Sequence, residues 1–305
     1  MKNLLLLVSI AILLAFVYLS DPLAIFKSLS NANLLLILPA FLITPITLLL
    51  RSYRWDLLLR SINIKVNFKT LSKAFLASLF FSNITPGKAA DPIRSYFLKR
   101  KQGIDISLTV STVIVERFID IFALLFFSLF ILTKISNINT YYLLIFPVLF
   151  VIFLVSLKIE RLRNWGINIA LRILSVSKRL RDKVRDKERI NKNFSTILKA
   201  RKRYIVLASM LTIIIWLIDT LAFYLAFLAL GANIPYIVLL SALSLSVLIG
   251  VISFLPGGIG SSEVSLAVLL SSYMPLSVAT AGTLIGRFFT IWLAIFICAY
   301  FVRKV

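Results

Sequence analysis

The stretch Ala74-Phe75-Leu76-Ala77-Ser78-Leu79-Phe80-Phe81-Ser82-Asn83-Ile84-Thr85-Pro86-Gly87 decides how this chain is threaded. It is apolar, short, and closes on a Pro-Gly break. On its N-terminal side, 51–73 carries Arg51, Arg54, Arg60, Lys65, Lys69 and Lys73 against one acid, Asp56. On its C-terminal side, 88–106 carries Lys88, Arg94, Lys99, Arg100 and Lys101. Basic connections of a membrane protein stay on the cytoplasmic side. A full crossing at 74–87 would put one of these two outside. Apolar runs of about 10–14 residues are more often re-entrant than spanning. Residues 71–87 are therefore predicted to dip in and return, with a short helix from about 92. Asp91 would cap that helix and Pro92 would occupy its first turn.

The rest of the chain fits a membrane around this hairpin. Of 305 residues, 60% are apolar and 15% charged, with 34 Lys plus Arg against 12 Asp plus Glu. Soluble domains average about 45–50% apolar and about 25% charged. Apolar runs recur at 4–19, 34–50, 107–133, 141–157, 204–230, 236–255 and 277–302. Most are close to or above the ~20 residues that cross a ~30 Å hydrocarbon layer, and none alternates as barrel strands do. The run 4–19 reads as a retained first span rather than a signal peptide. Basic residues concentrate in 51–73, 88–106, 158–203 and at the two ends (Lys2, Arg303, Lys304), whereas 21–33, 134–140 and 231–235 hold at most one Lys. This predicts a multi-pass protein of the cytoplasmic membrane with both termini cytoplasmic. The placement also argues against a nucleic-acid partner for the net charge of +22.

The C-terminal half repeats the threading problem. Run 236–255 leads to Pro256-Gly257-Gly258-Ile259-Gly260, then to a short apolar piece at 264–274. One hairpin plus one crossing satisfies the ends. The spacing from Pro86 to Arg117 equals the spacing from Pro256 to Arg287, and an acid follows each Pro-Gly, Asp91 or Glu263. The two hairpins start from opposite sides, as in the inverted-topology repeats of transporters. The expected fold is a single all-α polytopic membrane domain over 1–305. It would have about six full spans and two re-entrant helical hairpins, with repeats at about 71–133 and 236–302. The segment 158–203 has Trp165, Ile169, Ile173, Val176, Leu180 and Val184 at helical spacing among basic residues, which suits a helix on the cytoplasmic surface.

Chemistry is narrowed by absences in the sequence. There is no His, and Cys298 is the one Cys. Cys/His zinc sites, an internal disulfide and His-based catalysis are excluded. Cys298 reads as a packing residue. No P-loop is present, and no cofactor or metal is expected. The ionisable residues inside apolar runs are Arg117 and Arg287, with Glu116, Asp120, Asp219 and Glu263. Such residues pair, face a cavity or handle charged substrates. Glu116 and Asp120, four apart, share a helix face, and Arg117 lies three from Asp120. A helix starting at Ser261 or Ser262 could offer N–H groups to a phosphate. Glu263 would repel an anion there and meet a cation, a proton or an arginine instead.

Arg54-Trp55, Thr85-Pro86-Gly87 with Asp91-Pro92 and Arg94, Glu116-Arg117-x-x-Asp120, Pro256-Gly257-Gly258-Ile259-Gly260-x-x-Glu263, and Arg287 with Trp292 together resemble the transmembrane region of lysylphosphatidylglycerol synthases and their stand-alone flippase-like relatives. The resemblance covers essentially the whole chain. It departs at Ala90, where the family often has Gly, and at Asp91, where it often has Glu. The resemblance implies a membrane part that translocates an aminoacylated lipid. The soluble synthase half is expected to be absent, because the chain stops at Val305. Similar regions fused to glycosyltransferases suggest lipid-linked sugars as a second substrate class.

The leading expectation is a flippase-like translocase of a phospholipid or polyprenyl-phosphate-type lipid, not an enzyme, with no catalytic residues assigned. Arg117 and Arg287 would hold the lipid phosphate. Asp91, Glu116, Asp120 and Glu263 would balance them, bind a cationic headgroup or carry a proton. Arg94 and the loop residues Pro86, Gly87, Pro256, Gly257, Gly258 and Gly260 complete the expected substrate site. The expected partners are membrane lipids with anionic or lipid-linked headgroups, and a soluble glycosyltransferase or lipid-modifying enzyme. The rivals are an intramembrane transferase or hydrolase using Glu116 with Asp120, or Asp91 with Glu263, and a non-catalytic membrane partner of a glycosyltransferase.

Overall fold

A computed structural model describes residues 2–135 and 201–304. The apolar run 141–157 and nearly all of the basic segment 158–203 lie outside the described residues.

Every element described is helical. The helices are α1 (Lys2–Leu19), α2 (Pro22–Ser30), α3 (Leu34–Ile37), α4 (Ala40–Ser61), α5 (Phe68–Ile84), α6 (Ile93–Gln102) and α7 (Ile106–Ile135). After the gap come α8 (Lys202–Ala229), α9 (Tyr236–Ile252), α10 (Ser261–Leu270), α11 (Leu276–Arg287) and α12 (Leu293–Val302). A π-helical stretch, Phe288–Trp292, joins α11 to α12. Helices satisfy their backbone groups internally, the condition for spanning hydrocarbon.

The surface is that of a protein solvated by lipid. Leu14, Phe26, Leu35, Leu42, Met210 and Phe296 are exposed, while Arg54, Arg94 and Glu116 are buried. Among the described residues three helices are long and apolar enough to cross a membrane: Leu34–Ser61, Lys202–Ala229 and Leu276–Val302. At 1.5 Å per residue, 28 residues reach about 42 Å. α7 has the length, 30 residues, but carries Glu116, Arg117 and Asp120 in mid-helix.

The N-terminal helix ends where the apolar run 4–19 ends, and the segment after it differs from the expectation. α1 stops at Leu19, and Leu5–Leu19 and Pro22–Ser30 are bent by 83°. Asp21 adopts a left-handed conformation (φ 63°), and its side chain accepts from the Ala24 N–H at 3.2 Å, capping α2. Pro22 cannot continue the preceding helix. Much of the expected outside loop 21–33 is thus helical, and α2 packs on α11.

At each expected hairpin, two helices meet at a Pro-Gly loop and pack on each other. α5 ends before Thr85-Pro86-Gly87 and α6 leaves it; α9 ends before Pro256 and α10 leaves Gly260. α8 lies along α4, α9 along α7, and α12 along α5. Close approach of α11 to α8 depends on glycine. A Cβ on Gly282 would sit 2.2 Å from Cε1 of Phe227, and one on Gly286 would sit 2.1 Å from Cδ1 of Phe223. This is the small-xxx-small spacing by which membrane helices pack tightly. Cys298 is buried against Leu48 and Trp55 and is a packing residue, as read from the sequence.

Candidate functional site

The two Pro-Gly loops, from opposite ends of the chain, touch. Pro86 and Pro256 pair as an isolated antiparallel bridge. A Cβ on Gly257 (φ 62°) would lie 2.9 Å from the Asn83 carbonyl oxygen, so the contact requires glycine there. Beside it opens a cleft of about 100 Å³, lined by Thr47, Arg51, Asn83, Gly87, Lys88, Trp216, Asp219, Gly257, Gly258 and Arg287 among others. It draws on both loops, α4, α8 and the end of α11.

Behind the first loop lies a buried ionic cluster. Arg54, from α4, reaches Glu116 Oε1 at 2.8 Å, Asp120 Oδ1 at 2.5 Å and Thr212 Oγ1 at 2.9 Å. Arg94, from α6, stands 3.0 Å from Glu116 Oε2, and its guanidinium carbon is 4.7 Å from the Trp55 ring and 5.1 Å from the Phe75 ring. Arg117 sits 2.9 Å from Glu116 Oε1, 3.1 Å from Asp91 Oδ2 and 3.4 Å from Asp120 Oδ2. The Ser82 hydroxyl donates to Asp91 Oδ1 at 2.5 Å. Three guanidiniums thus face three carboxylates. Such a cluster persists out of water because every charge is matched.

The second loop has a simpler pair. Arg287 Nε is 3.0 Å from Glu263 Oε1. The other Glu263 oxygen accepts from the Gly260 N–H at 2.7 Å. The arginine at the same spacing past each Pro-Gly therefore presents its Nε to the acid of its own loop, Asp91 or Glu263. A third pair, Arg51 with Asp219, joins α4 to α8 beside the cleft, with the Trp216 ring 5.9 Å from the Arg51 guanidinium.

Several sequence expectations need correction. Asp91 does not cap the return helix. Pro92 is the N-cap residue, without a side-chain cap bond, because the buried carboxylate turns instead to Arg117 and Ser82. The N–H groups opening α10 are not all free for a phosphate, because Glu263 takes the Gly260 N–H. Gly260 packs against α1, where its Cβ would lie 2.9 Å from the Ser9 carbonyl oxygen. Arg117 does not line the cleft; it belongs to the matched cluster with Asp91, Arg94, Glu116 and Asp120. Of the expected residues Gly87, Gly257, Gly258 and Arg287 line the cleft, and Pro86 and Pro256 form the loop contact.

Sequence reasoning placed Arg51 and Arg54 in a cytoplasmic loop with the topology-setting charges. α4 instead runs on to Ser61 and carries both inward. Their three-residue spacing on one helix face, with Trp55 beside them, was the available signal. Lys88 was counted the same way. Asp219 was seen as an intramembrane charge but given no partner. Among the described residues no three His, Cys, Asp or Glu side chains are grouped to hold a metal ion.

Comparison with known proteins gives the family. Residues 6–298 match the family model described as the lysylphosphatidylglycerol synthase TM region. A UPF0104 membrane protein of Methanocaldococcus jannaschii is 28% identical over 278 residues, 86% of this chain and 82% of that one. One of Methanothermobacter thermautotrophicus is 26% identical, covering 95% and 91%. One of Pyrococcus horikoshii is 24% identical, covering 96% and 93%. With a match that spans nearly its whole length, the chain belongs to the lysylphosphatidylglycerol synthase transmembrane-region family.

Proposed function

We propose that this protein is a flippase-like translocase that carries a phospholipid, or a lipid-linked substrate of the polyprenyl-phosphate type, across the cytoplasmic membrane. The observation that carries the proposal is the cleft at the meeting of the two Pro-Gly loops, with charged groups on its wall and apolar, lipid-facing helices around it. A charged headgroup costs several kcal/mol to bring into hydrocarbon. A path lined by fixed charges and loop backbone lowers that cost while the acyl chains stay in lipid.

The matched pairs Arg117–Asp91 and Arg287–Glu263, each at the same distance in sequence past a Pro-Gly, support reading 71–133 and 236–302 as repeats of inverted topology. In alternating access, two such halves rock about a shared central site. With the basic segments inside, both termini lie in the cytoplasm. The family's description makes an aminoacylated or anionic phospholipid the first substrate to try.

The intramembrane transferase reading is weaker. A general acid or base needs a carboxyl group able to take and release a proton. Glu116, Asp120, Asp91 and Glu263 are each held against a guanidinium, which suits charge compensation.

The test is transbilayer movement of headgroup-labelled lipid in proteoliposomes. Wild type should exchange lipid between leaflets, and Arg287→Ala and Glu263→Gln should slow it. Movement no faster than in empty liposomes would overturn the proposal. Unchanged rates in both variants would remove this pair from the mechanism.

A further inference from the structure

Among the described residues, the charges around the cleft match except for one. Arg51 is met by Asp219, Arg287 by Glu263, and Arg54, Arg94 and Arg117 by Asp91, Glu116 and Asp120. Lys88 lines the cleft and has no ion pair among the described residues. The acids whose field reaches it, Asp91 and Asp120, are already engaged by arginines. Arg117 and Arg51 add positive field from nearby.

The backbone at Lys88 makes the residue choice informative. Gly87 and Lys88 both have φ 56°, and their counterparts in the other loop, Gly257 and Gly258, have φ 62° and 68°. Both Pro-Gly loops thus demand two successive left-handed residues. The second loop meets that demand with glycine twice. The first places a lysine there, against the steric cost of a side chain at positive φ. Backbone strain of this kind, tolerated for a particular side chain, points to function.

A second group lining the cleft is incomplete. Trp216 lines the cleft, and its buried indole N–H has no acceptor among the described residues. An anionic oxygen in the cleft would supply both the missing counter-charge and the missing acceptor.

We infer that Lys88, with Trp216, forms the headgroup site for a lipid phosphodiester carrying one negative charge. A single charge neutralises the single excess cation. A phosphomonoester dianion would leave one charge unmatched, and desolvation cost rises with the square of charge, so it should bind less well. The translocase proposal supplies the lipid as the source of this group; the charge argument stands without it.

The test is titration of detergent-solubilised full-length protein with headgroup-labelled phosphatidylglycerol, read by fluorescence anisotropy. Competitors are unlabelled phosphatidylglycerol, phosphatidic acid and soluble glycerophosphoglycerol. Lys88→Gln should weaken binding at least tenfold, Lys88→Arg should stay within about threefold of wild type, and Trp216→Phe should weaken it severalfold. Lys88→Gly should also lose binding while its melting temperature holds or rises, because glycine relieves the left-handed backbone. A merely structural lysine would give the opposite pair of results for Lys88→Gly. Wild-type affinity in Lys88→Gln, absence of binding to wild type, or phosphatidic acid competing better than phosphatidylglycerol would each overturn the inference. Competition by glycerophosphoglycerol as strong as by the lipid would support the diester site and count against the translocase proposal. Binding intact but no transbilayer movement would do the same.

Discussion

Glu116 is the keystone of the buried cluster, and Glu116→Gln tests whether that cluster holds the helices together. Glu116 is 0% exposed and touches Arg54, Arg94 and Arg117 at 2.8, 3.0 and 2.9 Å. The substitution keeps volume and one acceptor, so it opens no cavity. It does remove one of three negative charges facing three guanidiniums. Removing one partner of a buried ion pair costs about 3–5 kcal/mol, because the other charge is left uncompensated. For a chain of this size each kcal/mol lowers the melting temperature by about 2–4 °C. At the shallow end of that range the expected drop is about 6–10 °C, measured by size-exclusion thermostability in detergent. Arg94 makes its ion pair with Glu116 and lies beside the Trp55 and Phe75 rings. Arg94→Met in the Glu116→Gln background therefore removes the excess charge and keeps apolar packing. The double variant should regain part of the loss, with a coupling of about 0.5–3 kcal/mol. A drop below about 2 °C for Glu116→Gln, or a double variant equal to the sum of the singles, would show that the cluster is not charge-balanced as described.

Gly286→Ala drives a Cβ into the Phe223 ring and should cost about 1–3 kcal/mol through overpacking; Phe223→Leu in the same chain should recover part of it in the same thermostability assay. Gly257→Ala combines a positive φ with a 2.9 Å approach to the Asn83 carbonyl oxygen. It should cost about 1–3 kcal/mol and slow lipid movement by separating the loops, whereas Gly103→Ala, at φ 69° with open space around it, should lose stability without losing transport. Asp219→Asn strands Arg51 beside the cleft; it should destabilise the protein, and anionic lipid should bind at least as tightly as to wild type because a second cation is then free.

How much of this was legible beforehand can be followed through individual residues. Both helix breaks were readable, because Pro86-Gly87 and Pro256-Gly257 end helices by local backbone chemistry. The start of α10 at Ser261 followed from the same glycines. The end of α1 before Asp21-Pro22 was also a local signal, whereas the helix Pro22–Ser30 after it was read as a loop. The interior charges were read less well. Arg51, Arg54 and Lys88 resemble topology lysines and arginines, since hydropathy registers that a charge lies near an apolar run and not which way the helix turns it.

The amino-acid order by itself determined that the chain is a helical membrane protein, that two Pro-Gly loops interrupt its helices, and that six ionisable residues lie inside apolar runs. Each of these depends on neighbours close in the chain or on the balance of apolar surface against water. Only the tertiary structure decided which charge meets which: that Arg54 and Arg94 converge with Arg117 on Glu116, that the two Pro-Gly loops touch, and that Lys88 has no counter-ion among the described residues. Coulomb energy depends on distance in space, and the residues it couples here, Arg51 with Asp219 or Arg54 with Asp120, stand on helices far apart in the chain.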